Sequence, residues 1–221
     1  MAEPRNRASM EEVHDRLRAD ILAGVFTPGE KLRFAPLGSE YAASIGVLRE
    51  ALTRLAEQGL VVSEPRIGFR VRPLTREDLD DLTTVRIDIE SLALRRAIDL
   101  GDMAWESALV AAHHTLERTP MMTDAEPVRV SDTWERAHAQ FHRALVAGCG
   151  SPRLIAIAET LRNSSELYRR WSQPLDRERD VAAEHRAILD STLGRDGNRA
   201  VAALCAHYER TAGILREALA G

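Results

Sequence analysis

Four histidines in the second half of the chain have the residue type, and in part the spacing, that a metal site requires. His138 and His142 are four residues apart, so they share one face of a helix and could chelate one ion. His185 and His207 fall on the last two predicted helices, and a helical bundle can bring inward-facing residues of three helices together in its core. Spacing alone leaves open the alternative that each histidine is a separate surface or core residue.

An arginine within an apolar stretch is a second candidate site. Arg86 falls in the middle of the first predicted helix of the C-terminal region, among leucine, valine and isoleucine, so it is expected to point inward. A guanidinium there could hold a carboxylate through two parallel hydrogen bonds. An ion pair with Glu90, one helical turn later, is the alternative. Asn163 and Tyr168, together with Arg162, are further candidates to line an effector pocket.

The first third of the chain has the pattern of a DNA-binding domain. Ser9 and Glu12 form a capping box, the apolar residues that follow recur at helical spacing, and two shorter helical segments come next. Two β-rich runs, residues 60–62 and 68–72, flank a turn and predict a hairpin. Residues 9–72 are therefore predicted to form three helices and a hairpin, the layout of a winged helix-turn-helix.

The third of these helices, from about residue 47 to 58, has the two faces that a recognition helix needs. Leu48, Leu52 and Leu55 would be buried, which turns the polar side chains between them towards the major groove. Between residues 65 and 76 there are four arginines and no acid, which suggests phosphate contacts by the wing, with a solvated surface as the alternative. The candidate DNA-contacting residues are Arg33, Ser44, Gly46, Arg49, Thr53, Arg54, Arg66, Gly68 and Arg70.

A domain boundary is predicted at Pro73-Leu74, because Thr75 and Asp78 cap a new helix and no strand pattern follows them. We therefore expect a mainly α protein, with a winged helix-turn-helix domain over residues 9–74 and an all-α bundle over residues 75–221. The predicted helices of the bundle are 76–99, 103–118, 131–148, 152–172, 177–194 and 197–219.

Composition excludes several classes of protein. The 221 residues are 44% hydrophobic and 29% charged, which is enough to build a core and is not typical of disorder. No apolar run is long enough to cross a bilayer, and the first residues lack the apolar core of a secretory signal. Two cysteines cannot form a disulfide framework, which fits a reducing compartment. The expectation is a cytoplasmic protein that does not contact a membrane.

Four motifs in the N-terminal region are typical of one family. They are Ile21-Leu22-Ala23-Gly24, Pro28-Gly29-Glu30-Lys31-Leu32, Arg49-Glu50-Ala51-Leu52 and Leu55-Ala56-Glu57-Gln58-Gly59-Leu60. On these residues the chain resembles the GntR family of transcriptional regulators. Most members carry Ser-Arg-Thr-Pro-Val ahead of the third motif, whereas Ile45 here replaces the usual base-reading arginine and Gly46 the following threonine. The departure implies a different operator sequence, and it resembles the branch of a carbon-starvation-induced, glutarate-responsive repressor.

The rest of the chain, about residues 76–219, resembles the FCD (FadR C-terminal) domain of that family. Its metal-binding members have an Asp shortly before a His and then two later histidines, at intervals that match His142, His185 and His207 here. His138 stands at the usual Asp position, so the resemblance implies a four-histidine site. Such a site favours a divalent transition metal, Zn²⁺ first and Ni²⁺ second, over hard ions such as Mg²⁺.

The resemblance implies a function as well as a fold. It implies a homodimeric repressor, and not an enzyme, that is released from an inverted-repeat operator in double-stranded DNA by a small carboxylate or dicarboxylate. The effector would bind at the metal-containing pocket, with Arg86 holding a carboxylate. Two other classes stay open on the residues: a metalloenzyme with Glu184 as its base, and a winged helix that binds protein rather than DNA.

Overall fold

The computed structural model of the protein describes residues 8–124, 128–172 and 179–220. Across these residues the chain forms ten helices and three short strands. It divides into two compact units, Met1–Leu74 and Thr75–Gly221. Helices predominate, and the strands all belong to the N-terminal unit, as the sequence predicted for a winged helix-turn-helix followed by a helical bundle.

The N-terminal unit combines three helices with a small antiparallel sheet. Its elements are α1 (Met10–Leu22), β1 (Lys31–Leu32), α2 (Phe34–Glu40), α3 (Ile45–Glu57), β2 (Val61–Glu64) and β3 (Gly68–Val71). The predicted capping box begins α1: the Ser9 hydroxyl accepts a hydrogen bond from the Glu12 amide at 3.2 Å, and the Glu12 carboxylate accepts one from the Ser9 amide at 2.9 Å. The apolar faces of α1 and α3 form the core of this unit, so the polar face of α3 is exposed.

Strand β1 is an element that the sequence did not predict. Lys31 pairs with Arg70 and Leu32 with Phe69, which places β3 in the centre of a sheet with the order β1-β3-β2. Two residues are too few to show an alternating pattern, so only their pairing partner reveals them as a strand. The predicted hairpin is therefore the larger part of a three-stranded sheet.

The C-terminal unit consists of seven helices in the described residues, where six were predicted. They are α4 (Arg76–Leu100), α5 (Met103–Arg118), α6 (Asp132–Ala147), α7 (Pro152–Ser164), α8 (Glu166–Ser172), α9 (Val181–Leu193) and α10 (Gly197–Ala220). The predicted helix 152–172 was wrong in one respect, since it is divided at Ser165. The Ser165 hydroxyl donates to the Arg162 carbonyl at 2.8 Å, and serine side chains that bond to the backbone in this way compete with helical hydrogen bonds. The predicted start of the fifth helix, at residues 177 and 178, lies outside the described residues.

Packing of these helices determines where the site forms. Helix α10 packs against both α4 and α9, and α5 packs against α6. Apolar side chains fill the space between them, including Leu94, Leu109, Phe141, Ile188 and Leu204. Inward-facing residues of α4, α6, α9 and α10 therefore meet in one core. Among the described residues no helix is both long and apolar enough to span a membrane.

Candidate metal centre and DNA-reading surface

The four histidines singled out in the sequence converge in the core of the C-terminal unit. Helix α6 supplies His138 and His142, α9 supplies His185, and α10 supplies His207. Ring centroids are 4.5 Å apart for His138 and His142 and 4.7 Å apart for His185 and His207. One nitrogen of each ring lies within 4.8 Å of the corresponding nitrogen of every other ring. All four side chains are at most 3% exposed, so this is a closed cluster within the bundle.

The outer nitrogens of two of these rings are held by hydrogen bonds. Tyr208 donates its hydroxyl proton to Glu90 at 2.7 Å, so the 3.2 Å contact between Tyr208 and His142 requires Nδ1–H of the imidazole as donor. His207 Nδ1 lies 2.6 Å from Oε2 of Glu184. In both hydrogen bonds the proton is on Nδ1, so the Nε2 lone pair of each ring is free. A neutral imidazole with a free lone pair is the form that binds a metal.

Other nitrogens of the cluster are buried without a hydrogen-bond partner. They are Nδ1 of His138, Nε2 of His142 and Nε2 of His185. Buried polar atoms are almost always satisfied in proteins, and a site for an ion is one of the established reasons for an exception. Four imidazoles, three of them with such an atom, fit a divalent transition metal, for which nitrogen ligands are well suited.

Burial also keeps the imidazoles neutral. It lowers the pKa of His138, His142 and His185 well below the usual histidine range, with neighbouring positive groups contributing in the same direction. The pKa of His207 is lowered too, chiefly by burial, although the nearby Glu184 carboxylate opposes this effect. Burial by itself would raise the pKa of Glu184, but hydrogen bonds from Arg179 and His207 outweigh it and lower that pKa to about 2.

A buried group of charges lies beside the histidine cluster. Nε of Arg86 is 3.0 Å from Oε1 of Glu90, and the Arg86 guanidinium stacks 4.0 Å above the Tyr208 ring. The intrahelical ion pair, the alternative left open by the sequence, therefore forms in this structure. A second guanidinium, that of Arg162, has Nη2 at 3.6 Å from Oε2 of the same carboxylate. Two positive charges thus share one negative charge in the core, and both lower the pKa of Glu90 against the opposing effect of burial.

Of the remaining candidates for the effector pocket, Tyr168 and Arg162 are buried and Asn163 is exposed. Tyr168 is buried and donates to Asp78 at 2.8 Å, and it lines a cavity of about 20 Å³ together with Arg86 and Tyr208. Asn163 lies on the exposed side of α7, so it does not join this group. Its neighbour Arg162 points inward instead, and two of its nitrogens, Nε and Nη2, have no hydrogen-bond partner. The sequence named Arg162 only as a weaker candidate, and it missed Tyr208, whose position next to His207 was the available signal.

In the N-terminal unit, helix α3 presents the predicted polar face. The Ser44 hydroxyl caps the helix by accepting from the Val47 amide at 3.3 Å. Gly46, Arg49, Thr53 and Arg54 are exposed, opposite the leucines that pack into the core. The Arg49 guanidinium lies 5.2 Å above the Phe34 ring, and the Thr53 hydroxyl donates to the Arg49 carbonyl at 2.8 Å. Ile45, in the first turn, is 60% exposed, which is unusual for so apolar a side chain.

The two wing arginines have different surroundings. Arg66 is exposed at the tip of the hairpin, with φ of +66°, and Gly68 follows with φ of +113°, a left-handed conformation that glycine tolerates best. Arg70, half-buried on the central strand, forms an ion pair with Glu64 through Nε at 2.7 Å and Nη2 at 2.8 Å. The charge of Arg70 is therefore balanced across the strands. Arg33, just ahead of α2, is exposed like Arg66.

Comparison with known proteins agrees with this architecture. Residues 9–71 match the sequence profile of bacterial regulatory proteins of the gntR family, and residues 81–210 match that of the FCD domain. The chain is 36% identical to the HTH-type transcriptional regulator BphR of Paraburkholderia xenovorans, over 96% of this chain and 86% of BphR. It is 33% identical to the HTH-type transcriptional repressor GlaR of Escherichia coli, over 93% and 94% of the two chains.

Solved structures show the same fold. The structure of McbR/YncC of Escherichia coli superposes with a TM-score of 0.69 at 18% identity, over 96% of this chain and 99% of McbR. A GntR-family regulator of Pseudomonas syringae pv. tomato, 26% identical, covers 97% of this chain and 89% of its own length with a TM-score of 0.56. These matches define the class: a DNA-binding transcriptional regulator, not an enzyme. The chain belongs to the GntR family and carries an FCD domain.

Proposed function

We propose that the protein is a metal-containing, metabolite-responsive repressor that a small carboxylate or dicarboxylate releases from its operator. The observation that carries this proposal is the cluster of four buried imidazoles, three of them with a nitrogen that no hydrogen bond satisfies. Zn²⁺ is the metal that we favour and Ni²⁺ the second choice, because all four candidate ligands are imidazoles and none is a carboxylate. When bound, such an ion supplies a positive charge and coordination positions that a carboxylate can occupy.

The effector would bind between this cluster and the buried arginines. Arg86 is engaged by Glu90, whereas Arg162 has two unsatisfied nitrogens, so Arg162 is the better anchor for a second carboxylate. Tyr168 and Arg86 line a neighbouring cavity of about 20 Å³, which holds no more than a water molecule and is bordered by neither Arg162 nor any of the four histidines. We infer that a carboxylate effector would enlarge this cavity towards Arg162 and the histidines. We keep Asn163 only as an outer contact, because its side chain is exposed.

Enlargement of this cavity by the effector would move helices that could transmit the change to the DNA-binding domains. Arg86 belongs to α4 and Arg162 to α7, and these two helices pack against each other. Both carry large apolar side chains on their outer surfaces: Leu92 of α4 is 51% exposed and Ile157 of α7 is 48% exposed. We infer that these exposed apolar side chains contribute to the interface of a homodimer, the assembly with which a repressor reads an inverted repeat. A shift of α4 and α7 would then alter the spacing of two DNA-binding domains.

The DNA-binding domain, residues 9–74, would place the exposed face of α3 in the major groove of operator DNA, with Arg49 and Thr53 towards the bases. Ser44 and Gly46 would approach the phosphates with the start of the helix, and Arg54 would contact the backbone. Arg33, Arg66 and Gly68 would lie near the backbone or minor groove. Arg70 would join them if its ion pair with Glu64 opens. The regulator would work in the cytoplasm, with residues 75–221 as its sensing and dimerisation domain.

The proposal is tested by combining metal analysis with operator binding. Protein purified without a histidine tag should contain about one metal ion per chain. In fluorescence anisotropy at fixed salt it should bind DNA from upstream of its own gene, and one member of a panel of C3–C6 carboxylates and dicarboxylates should release it. Metal-free protein that still responds to that effector at the same concentration would contradict the role of the metal. Absence of specific DNA binding would contradict the proposal as a whole.

A further inference from the structure

One carboxylate outside the candidate ligand set contacts a histidine within it. Glu184 of α9 is adjacent to His185 in the sequence, but its carboxylate faces the next helix. Oε2 of Glu184 lies 2.6 Å from Nδ1 of His207 on α10. The residue that an enzyme would use as a base is therefore engaged by a neighbouring imidazole.

An arginine holds this carboxylate in place. Arg179 donates to Glu184 through Nε at 2.8 Å and through Nη2 at 2.6 Å, which is the bidentate geometry of a strong ion pair. The same guanidinium donates to the carbonyl of His207 at 3.1 Å and to the hydroxyl of Thr211 at 2.9 Å. Its Nη2 also lies 3.3 Å from Nδ1 of His207, but the two Nη2 protons are already donated to Glu184 and to the His207 carbonyl. Its side chain is only 2% exposed. Arg179 therefore ties the start of α9 to two successive turns of α10.

These contacts have a defined effect on His207. A hydrogen bond from Nδ1–H to a carboxylate fixes the tautomer and the ring orientation, so that the Nε2 lone pair is available to a metal. Arg179 balances the charge of Glu184, so the pair orients the ring without adding net negative charge next to the cluster. Tyr208 does the same for His142 with a neutral group. The groups that orient His142 and His207 therefore add no net negative charge beside the proposed metal site, where such a charge would repel a carboxylate effector.

We propose that Glu184 and Arg179 are positioning residues of the metal site: together they hold His207 as its Nδ1-protonated tautomer, with Nε2 directed at the ion. This inference rests on the proposed metal site. It adds two residues, neither of them a ligand, on which metal affinity depends.

The test compares variants of this pair with a matched ion pair elsewhere in the domain. Glu184→Gln keeps the shape of the side chain and removes its charge. The double variant Arg179→Met/Glu184→Met removes the ion pair without leaving a buried charge, which such replacements usually tolerate. Glu106→Gln is the control, because Glu106 pairs with Arg195 and contacts none of the four histidines. Each protein is titrated with Zn²⁺ against a chromophoric chelator, and its Co²⁺ form is examined by absorption spectroscopy.

We expect the double variant to bind Zn²⁺ about 10- to 100-fold more weakly than the wild type, the usual effect of removing such an outer partner. Its Co²⁺ spectrum should change, whereas Glu106→Gln should match the wild type in both measurements. Glu184→Gln should fall between them, because an amide oxygen can still accept from Nδ1–H. Wild-type affinity and an unchanged spectrum in the double variant would overturn the inference.

A second measurement does not depend on metal binding. In the metal-free protein, long-range ¹H–¹⁵N NMR of the histidine rings distinguishes the two tautomers. His207 should be protonated at Nδ1 in the wild type and should become a mixture in the double variant; Nε2 protonation in the wild type would overturn the inference. If the wild type binds no metal at all, the proposed metal site fails, and this spectrum still decides whether Glu184 and Arg179 hold the ring.

Discussion

The nitrogens of the four buried histidines differ in what surrounds them. Nδ1 of His142 and Nδ1 of His207 are hydrogen-bonded to Tyr208 and Glu184, whereas Nδ1 of His138 and Nε2 of His185 have no partner. An unsatisfied buried polar group costs about 1–3 kcal/mol, so several of them within one cluster are a substantial penalty unless an ion binds them. Binding of a metal ion by these nitrogens should therefore also stabilise the folded domain.

Removing two of the imidazoles should abolish metal binding. His142→Ala/His185→Ala leaves two of the four candidate ligands, too few for a structural site. Elemental analysis of the purified variant should then find no stoichiometric metal. His114→Ala, which removes an exposed histidine of the same unit, should retain it. Metal retained by the double variant would place the site elsewhere.

Arg162→Met should weaken the response to the effector while leaving operator binding intact. The variant removes the guanidinium that has unsatisfied nitrogens, and Glu90 keeps its ion pair with Arg86. A hydrogen bond to a charged group contributes about 1.5–3 kcal/mol, so half-maximal release from DNA should need at least about tenfold more effector. Anisotropy titration measures this, with Arg153→Met, an exposed arginine of the same helix, as the control. An unchanged effector concentration would exclude Arg162 as the anchor.

At the scale of elements, the sequence predicted the winged helix-turn-helix and the helical bundle because their apolar residues recur over long stretches. Strand β1 was missed because two residues have no period, and the break at Ser165 was missed because it depends on a side-chain hydrogen bond. The sequence offered both Arg162 and Asn163 as pocket residues, and only Arg162 is buried. Side chains of adjacent helical residues point about 100° apart. A small error in the predicted orientation of the helix about its axis is therefore enough to assign the wrong one of two neighbours to the core.

The junction between α4 and α5 depends on a glycine. A Cβ atom on Gly101 would overlap the ring of Trp105 and the carbonyl of Ala97, and the indole cannot move away because its Nε1 donates to the Ala144 carbonyl at 2.8 Å. Gly101→Ala should therefore destabilise the protein by about 1–3 kcal/mol, the usual cost of overpacking. Gly213→Ala is the control, since nothing lies within 4 Å of its added Cβ and alanine favours a helix. Urea unfolding of the two variants would give opposite shifts; equal shifts would contradict this argument.

We expect Ile45, in the first turn of α3, to contact the 5-methyl group of a thymine in the operator. Ile45 is 60% exposed there, and apolar side chains in the major groove discriminate thymine through its 5-methyl. Once the operator is defined, replacing one particular thymine with uracil in each half-site should weaken binding by the wild type. Ile45→Ala should be insensitive to that replacement, and Arg49→Ala should still respond to it while binding about 1–3 kcal/mol more weakly overall. If no uracil replacement weakens wild-type binding, Ile45 does not contact the bases.

The arginines of the two units of the molecule have different surroundings: those of α3 and the wing tip are exposed, whereas several in the C-terminal unit are buried in ion pairs. The chain has a formal charge of −4, with 30 basic and 34 acidic residues, so it has no general attraction to DNA. We expect the exposed arginines of α3 and the wing to supply that attraction locally, and operator binding to weaken as the salt concentration rises. The C-terminal unit places several arginines in its interior instead, each facing a carboxylate, among them Arg86, Arg169 and Arg179.

Mild acid should destabilise the molecule. Histidines of an unfolded chain take up protons near pH 6.5, whereas burial lowers the pKa of His138, His142 and His185 in the folded state. The unfolded state then binds more protons than the folded state below pH 6.5, so each such imidazole lowers the free energy of unfolding by about 1.4 kcal/mol per pH unit until its folded pKa is reached. The melting temperature should fall between pH 7.5 and 5.5, with or without metal. An equal melting temperature at the two pH values would mean that these imidazoles titrate normally.

The cluster contains no sulfur. Cys149 is fully buried and contacts the Ser151 carbonyl, and Cys205 contacts Ser91, so neither is one of the four candidate ligands. Oxidants eject zinc from thiolate sites by converting the ligands to disulfides or sulfenic acids, and imidazoles do not undergo that chemistry. A metal ion held by these four imidazoles should therefore stay bound under peroxide conditions that empty a cysteine site. If the cluster holds a metal ion as proposed, release of the repressor by a carboxylate should not depend on the redox state of the cell.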